Sequence, residues 1–414
     1  MKPMLSVDEA LRRVLASAAT PTDVEDVAIT AAHGRTLARD LAARRTQPPF
    51  DSSAMDGYAV RAADCATPHA MLRLIGTSAA GHRFTGTVGP GEAVRIFTGA
   101  PVPAGADAVI IQENAEPPSP EGTVRFIAAA EPGRHIRRAG LDFAAGDVLL
   151  SAGSRLDFRR IGLAAAMGHP ALPVRRRPRV ALLATGDELV RPGEAAGEDQ
   201  IVSSNSYAVA ALAEAAGAEP LDLGIARDDR ADLAAAVEQA RAAAADVLVT
   251  LGGASVGDHD LVKDALADAR MELDFWRIAM RPGKPLMHGR LGAMVVLALP
   301  GNPVSAIVCA ALFLVPLLRA LVGDPEAGDD RSIAVRLGAD VGPNDVRQDY
   351  LRARLTASAD LPIATPAAVQ DSSLLGVLAS AEALIVRPPG APAARAGEVA
   401  RAIPLMGCPA AGWR

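Results

Sequence analysis

Cysteine is scarce in this chain of 414 residues: Cys65, Cys309 and Cys408 lie far apart and form no C-x-x-C pair. Neither a disulfide framework nor a thiolate zinc site is encoded, and the pattern predicts a reducing, cytoplasmic setting. Excess positive charge is missing too. With 42 Lys and Arg against 48 Asp and Glu, the formal net charge is −6, whereas nucleic-acid and acidic-membrane surfaces need concentrated cations. We therefore expect no nucleic-acid partner and no membrane partner. A secretory leader is not expected either, because Asp8 and Glu9 stand where its apolar core would be. Residues 305–323 come nearest to a membrane span, but only about 14 uncharged residues precede Arg319 and Pro316 interrupts them. A span needs roughly 20, so this segment is expected to be a buried core helix.

The chain is long and 50% hydrophobic, enough for several cores. Residues 5–19 read as a helix, with Ser6 as N-cap and Glu9 three positions on in a capping-box pattern. From 26 to 140 short β-type runs (YAVRA, AVRIF, AVII, TVRFI) alternate with Gly- and Pro-rich turns, which predicts a mostly-β unit. A helical pattern returns over 151–168, and RRRP at 175–178 reads as a linker. Beyond it RVALLAT (179–185), LDLGI (221–225) and DVLVTL (246–251) alternate with helical patterns at 205–216 and 230–244. That alternation predicts a parallel sheet covered on both faces, with ligands at the carboxyl ends of the strands. The last ninety or so residues predict a small β-barrel or sandwich.

Four clusters fall where strands of the α/β unit end. ATGDEL leaves Asp187 and Glu188 after a strand stopping at Thr185, and GIARDDR offers Asp229 as helix cap with Asp228 as a spare carboxylate. In LGGASVGDHD, Gly252 and Gly253 let backbone amides approach an anion at the start of a helix. Asp258 and Asp260 of the same loop would repel a bare phosphate but suit a Mg²⁺ bridging to one. MRPGKP and LPGNPVS present Arg281, Lys284, Asn302 and Ser305 from rigid Pro-Gly turns, an arrangement suited to an oxyanion. Outside this unit, FDSSAMDGYAV holds Asp51 and Asp56, and GRHIRRAGLD sets Arg134, Arg137 and Arg138 beside Asp142. Such a triplet is either solvated surface charge or a phosphate clamp.

In this order, SAMDGYAVR, FTGAPVP, GRHIRRAGLD, TGDEL, GGASVGDHD, RPGKP and LPGNPVS resemble the MoeA family of molybdenum-inserting enzymes, which includes the gephyrin E domain; the likeness runs from about residue 5 to 390. The resemblance implies a multidomain α/β plus β fold. Its parts would be a discontinuous helical domain (1–25 and 141–176), a mostly-β inserted domain (26–140), a MogA-like α/β domain with a mostly parallel sheet (177–324) and a C-terminal β-barrel (325–414). It further implies a homodimer in which Asp56, Thr98 and Asp142 act across the interface on the partner's α/β domain. Glu188, Asp228 and Asp260 match acidic positions of a nucleotide and Mg²⁺ site. Arg281, Lys284, Ser305, Arg347 and Ser372 match an oxyanion pocket, and Thr185, Gly252, Gly253, Ser255 and Asn302 lie in the matching substrate-binding motifs.

The implied activity is molybdopterin molybdotransfer: Mg²⁺-dependent cleavage of adenylylated molybdopterin, insertion of molybdate into the dithiolene and release of AMP. A molybdopterin adenylyltransferase and molybdoenzyme maturation proteins are the implied partners. The sequence departs from the family at Arg277 and Arg281, where Lys is common, at Leu141 and Leu251, where an acid and a Ser are common, and at Glu382, where Asn is usual. Two other functions fit the same motifs: adenylylation of molybdopterin, whose enzymes share a similar Gly-Gly loop, and non-catalytic molybdopterin binding by a carrier or scaffold.

Overall fold

The computed structural model describes residues 4–253 and 261–405. At its centre is a six-stranded sheet in the order Glu219–Ala226, Arg179–Thr185, Val247–Leu251, Met294–Leu299, Met287–Leu291, Glu272–Trp276. The first four strands pair in parallel and the last two pairings are antiparallel, so the sheet is mostly parallel with Met287–Leu291 reversed. The reason is local: Leu291 pairs with Met294 across a two-residue turn in which Gly292 has φ +66°, and so short a connection can join only antiparallel strands. Side chains alternate between two cores, as the twofold period of a strand requires. Val180, Leu182, Val247, Val249, Val295 and Leu297 face one side, while Ala181, Leu183, Leu248, Val296 and Ala298 face the other.

The first of these cores is closed by the helix Asn205–Ala215 and by the continuous helical segment Pro303–Leu321, 78% of whose most apolar stretch is buried. The N-terminal helix Val7–Ala16 packs there too, through Val7, Ala10 and Val14. Ser6 caps it by accepting the Glu9 N–H at 3.2 Å. The reciprocal half of the capping box does not form, because Glu9 turns to Arg12 and Arg13 (2.5 and 2.7 Å).

A separate core joins Ala32, Leu37, Leu41 and Ala43 to Phe143, Leu150, Leu156, Met167, Leu172 and Val174. Val24–Ala28 pairs with Ala171–Arg175, and Leu41–Ala42 with Val148–Leu150. The chain therefore stays with this unit until about residue 46, rather than leaving it at 26. The helix of the unit is Phe158–Ala166, capped by Asp157, and starts later than the pattern from 151 suggested. Between the two halves lies a five-stranded sheet ordered Ala108–Ile111, Gly57–Val60, Glu92–Ile96, Met71–Ser78, Thr123–Arg125. At the C-terminus, Gln348–Thr356, Ile363–Pro366, Ile333–Leu337, Val399–Pro404 and Ala383–Arg387 close into a barrel, because the last strand pairs back onto the first. Closure leaves no edge for unwanted pairing.

Candidate active site

The chain runs from Arg179–Thr185 outward to Glu219–Ala226, then crosses to the opposite side at Val247–Leu251. Strand order thus reverses between Thr185 and Leu251, and crevices at such reversals take ligands in open α/β sheets. This one is lined with glycine. Gly252 has φ +112°, and a Cβ there would meet the Thr185 carbonyl oxygen at 2.7 Å and its Oγ1 at 2.8 Å. A Cβ on Gly253, at φ +62°, would lie 2.1 Å from Val262 Cγ2. Neither position accepts a side chain without strain. Thr185 is 4% exposed, and its Oγ1 has no hydrogen-bond partner among the described residues, an unusual condition for a buried hydroxyl. The Pro300-Gly301-Asn302 loop closes in beside it: a Cβ on Gly301 would be 3.7 Å from Gly252 Cα.

On one side of the crevice the rim is acidic. Asp229 caps the helix Arg230–Ala242 by accepting the Ala231 and Asp232 N–H groups (2.7 and 3.0 Å), which leaves Asp228 uncommitted. Its N–H donates to Asp187 at 3.2 Å. Partial burial, then repulsion from Asp187 and Glu188, raise the Asp228 carboxyl above its ordinary value of 3.8. The Glu188 carboxylate folds over Gly186, where a Cβ would meet its Oε2 at 2.3 Å. Three hard oxygen donors whose mutual repulsion a cation would relieve fit Mg²⁺. Among the described residues no group of three or more His, Cys, Asp or Glu side chains is arranged to hold a metal ion by itself, so an ion here would draw its remaining ligands from water and phosphate oxygens. Beside this rim is a cavity of about 330 Å³ lined by Gly186, Asp187, Leu189, Arg191, Ile225 and Arg227 among others.

On the other side the rim is cationic and meets the barrel. Met280–Arg281 pairs in parallel with Gln348–Asp349, which carries Arg281 to the barrel mouth. Its guanidinium bonds the buried Asp349, which strengthens its hold on the proton, and reaches Asp345 at 3.7 Å. Arg347 shares Asp345 at 3.1 Å, and the Arg347 N–H and guanidinium lower the Asp345 carboxyl. The second oxygen of Asp349 has no partner among the described residues. Lys284 is half-buried in the same loop, its carbonyl accepting from Ile278 and Leu286. Asn302 donates to Ser372 Oγ at 3.1 Å, and the Val304 N–H to the Ser372 carbonyl at 3.1 Å. Ser305, 5% exposed, lies in the first turn of the helix opened by Pro303. Two groups thus form at the junction with the barrel: Arg281 and Arg347 share Asp345, and the Asn302 turn contacts Ser372.

In the inserted sheet, Thr98 donates to Asp56 Oδ1 through both its N–H (2.7 Å) and its hydroxyl (2.8 Å), and the backbone bond chiefly lowers that carboxyl. Asp142 is exposed on the adjoining loop. Of the arginine triplet, Arg138 is committed to Asp51 at 2.5 Å and Arg134 to Glu131 at 3.4 Å, so solvated and paired charge describes both. Among the described residues no hydrogen bond or ion pair connects Asp56, Thr98 or Asp142 to the rim of the same chain. Asp260 and Ser255, together with Asp258, lie outside the described residues. Asp345 and Asp349 were not found from sequence, and nothing in PNDVRQDY except their nearness to Arg347 marks them.

Comparison with known proteins covers nearly the whole molecule. The family described as "MoeA N-terminal region (domain I and II)" matches residues 5–168, "Probable molybdopterin binding domain" residues 181–320 and "MoeA C-terminal region (domain IV)" residues 334–405. A Mycobacterium tuberculosis (strain ATCC 25618 / H37Rv) protein named molybdopterin molybdenumtransferase 2 is 40% identical over 83% of this chain and 86% of its own. A molybdopterin molybdenumtransferase of Nostoc sp. is 37% identical over 80% of this chain and 76% of its own. The crystal structure of the molybdopterin biosynthesis MoeA protein of Pyrococcus horikoshii superposes with a TM-score of 0.83 at 31% identity, covering 98% of this chain and all of that one. Its sequence and its fold together make this chain a member of the MoeA family.

Proposed function

We propose that the chain is a molybdopterin molybdenumtransferase that cleaves adenylylated molybdopterin and inserts molybdate into the freed dithiolene, releasing AMP. The observation that carries this reading is the division of one rim into an acidic half and a cationic half, joined by a glycine-lined crevice. Such a rim receives a phosphoanhydride on one side and a tetrahedral oxyanion on the other. Asp228 and Glu188, with Asp260, would hold Mg²⁺; bound there, it would neutralise the charge of the phosphates at the breaking bond. Gly252 and Gly253 admit the pyrophosphate to the backbone amides, and the cavity beside Arg191 and Arg227 takes the nucleotide end. Arg281, Lys284, Arg347, Ser305 and Ser372 hold molybdate near the dithiolene, and this orientation turns an encounter into a unimolecular step.

Two copies of the chain would complete the site. Met55, Phe97 and Leu141, direct neighbours of Asp56, Thr98 and Asp142, are 42%, 38% and 66% exposed. Apolar groups beside functional polar ones are what a partner surface covers, and the homodimer would carry Asp56, Thr98 and Asp142 to the partner's rim. The deciding experiment gives purified protein adenylylated molybdopterin and Mg²⁺, with and without molybdate, and measures AMP and active cofactor. AMP release that yields active cofactor only with molybdate is expected. ATP consumption with unmodified molybdopterin would identify an adenylyltransferase instead, and tight binding without turnover a carrier.

A further inference from the structure

A second cavity, of about 290 Å³, lies where the helical segment Pro303–Leu321 meets the barrel. Its wall is mostly apolar: Ile307, Ala311 and Leu312 from the helix, Leu378 from the short helix Leu375–Ala379, and Leu384 and Ile403 from barrel strands. Arg331 is the charged residue in that wall.

Arg331 has one local task. Pro316 has no N–H, and the turn before it, Ala310–Leu314, adopts a π register in which the Val315 N–H reaches the Ala310 carbonyl. The next carbonyl in that register, Ala311, would need the N–H that Pro316 lacks, and Arg331 Nη2 supplies a donor at 3.0 Å. This occupies one of a guanidinium's five N–H groups. Among the described residues no carboxylate pairs with Arg331; its charged neighbour Arg319 is a like charge, already held by Asp324 at 2.7 Å. Arg331 is half-buried, and a partly desolvated cation with no counter-charge among the described residues is stabilised when something anionic joins it.

We propose that this cavity binds a small apolar monocarboxylate, with its hydrocarbon body against Ile307, Leu312, Leu378 and Ile403 and its carboxylate on Arg331. The planar guanidinium matches a carboxylate through two parallel hydrogen bonds. One cation in apolar surroundings neutralises a monoanion but leaves half of a dianion unmatched, which disfavours phosphate. The volume is at the small end of ligand pockets, which run from roughly 300 to 1,000 Å³, so a single ring or a short chain fits. The site stands apart from the rim and does not rest on the molybdotransferase reading.

Calorimetric titration of the full chain with benzoate, phenylacetate and hexanoate, each beside its neutral amide and beside acetate, tests this. At least one acid should bind one-to-one, tenfold or more tighter than its amide and than acetate. Arg331→Met should remove the preference for the acid. Ala311→Phe, which fills the cavity and leaves the charge, should remove binding altogether, and circular dichroism verifies that both variants are folded. The proposal is overturned if none of the three acids binds, if amides or acetate bind as well, if folded Arg331→Met keeps the tenfold preference, or if folded Ala311→Phe binds unchanged.

Discussion

At the Asp228 end of the rim, three carboxylates crowd together with no ion pair among the described residues, and burial first, then their repulsion, raises the Asp228 carboxyl. At the Arg281 end, the two arginines are held by carboxylates of their own, and Asp345 serves both. An unbalanced cluster is poised for a counter-ion that arrives with the substrate, because binding relieves a strain the protein already carries. A paired cluster is poised for orientation: Lys284 keeps it cationic, while its guanidiniums are fixed by Asp345 and Asp349 before any oxyanion appears, so little ordering remains to be done. The first end should therefore govern rate through the metal, and the second affinity through geometry.

The largest effect that would break this comparison comes from Asp228→Ala, for which AMP release should fall on the order of 10²- to 10³-fold, as when a group stabilising transition-state charge is lost. An equal mixture of refolded Asp228→Ala and Asp56→Ala chains should recover about a quarter of the wild-type rate, the share of intact sites in statistically mixed twofold dimers. No recovery would show that each chain completes its own site. Gly252→Ala should lower unfolding free energy by about 1 to 3 kcal/mol in denaturant melts, because it forces a side chain into φ +112° against Thr185. It should also abolish binding of the substrate, which equilibrium titration measures separately.

Arg281→Ala should raise the KM for molybdate about tenfold, equivalent to about 1.4 kcal/mol, while AMP release without molybdate changes less. Equal losses in both would erase the distinction between the two ends. The smallest effect concerns stability. Because the Asp228 carboxyl is raised in the folded chain, its ionisation opposes folding; that penalty is absent below the ordinary value of 3.8 and develops as pH rises through the folded value. Asp228→Asn in the presence of a chelator should therefore melt slightly higher near neutral pH, and this gain should vanish in acid. A variant that melts lower at pH 7 would mean that Asp228 is paired rather than crowded.

The strands Arg179–Thr185, Glu219–Ala226 and Val247–Leu251 and the helices between them were legible because apolar runs and turn residues mark them, whereas the antiparallel pair Met287–Leu291 and Glu272–Trp276 was not. Asp229 as the cap and Asp228 as the spare carboxylate followed from adjacency to a helix start, and the structure has them so. The counter-ions Asp345 and Asp349 were not legible, since a carboxylate two positions from an arginine says nothing about a second arginine 64 or 68 positions earlier. Nor was the packing of Val7–Ala16 against the α/β core. An amphipathic helix displays an apolar face without naming its partner. Leu251 illustrates both sides: as a departure from the family it suggested a lost hydroxyl at the site, but it is 2% exposed and faces the core, so its side chain packs against the sheet.

By itself the sequence determined the order of elements, the reversal-prone βαβ alternation, the glycines of the crevice and the chemical type of each rim residue, because all of these depend on local backbone preference and side-chain chemistry. Only the tertiary structure decided which charges are neutralised. Whether a carboxylate stands among others of its kind, as Asp228 does, or beside a guanidinium, as Asp349 does, is set by strand order and by the pairing of Met280–Arg281 with the barrel. Electrostatic energy depends on distance and burial, and neither is written in the spacing of residues along the chain.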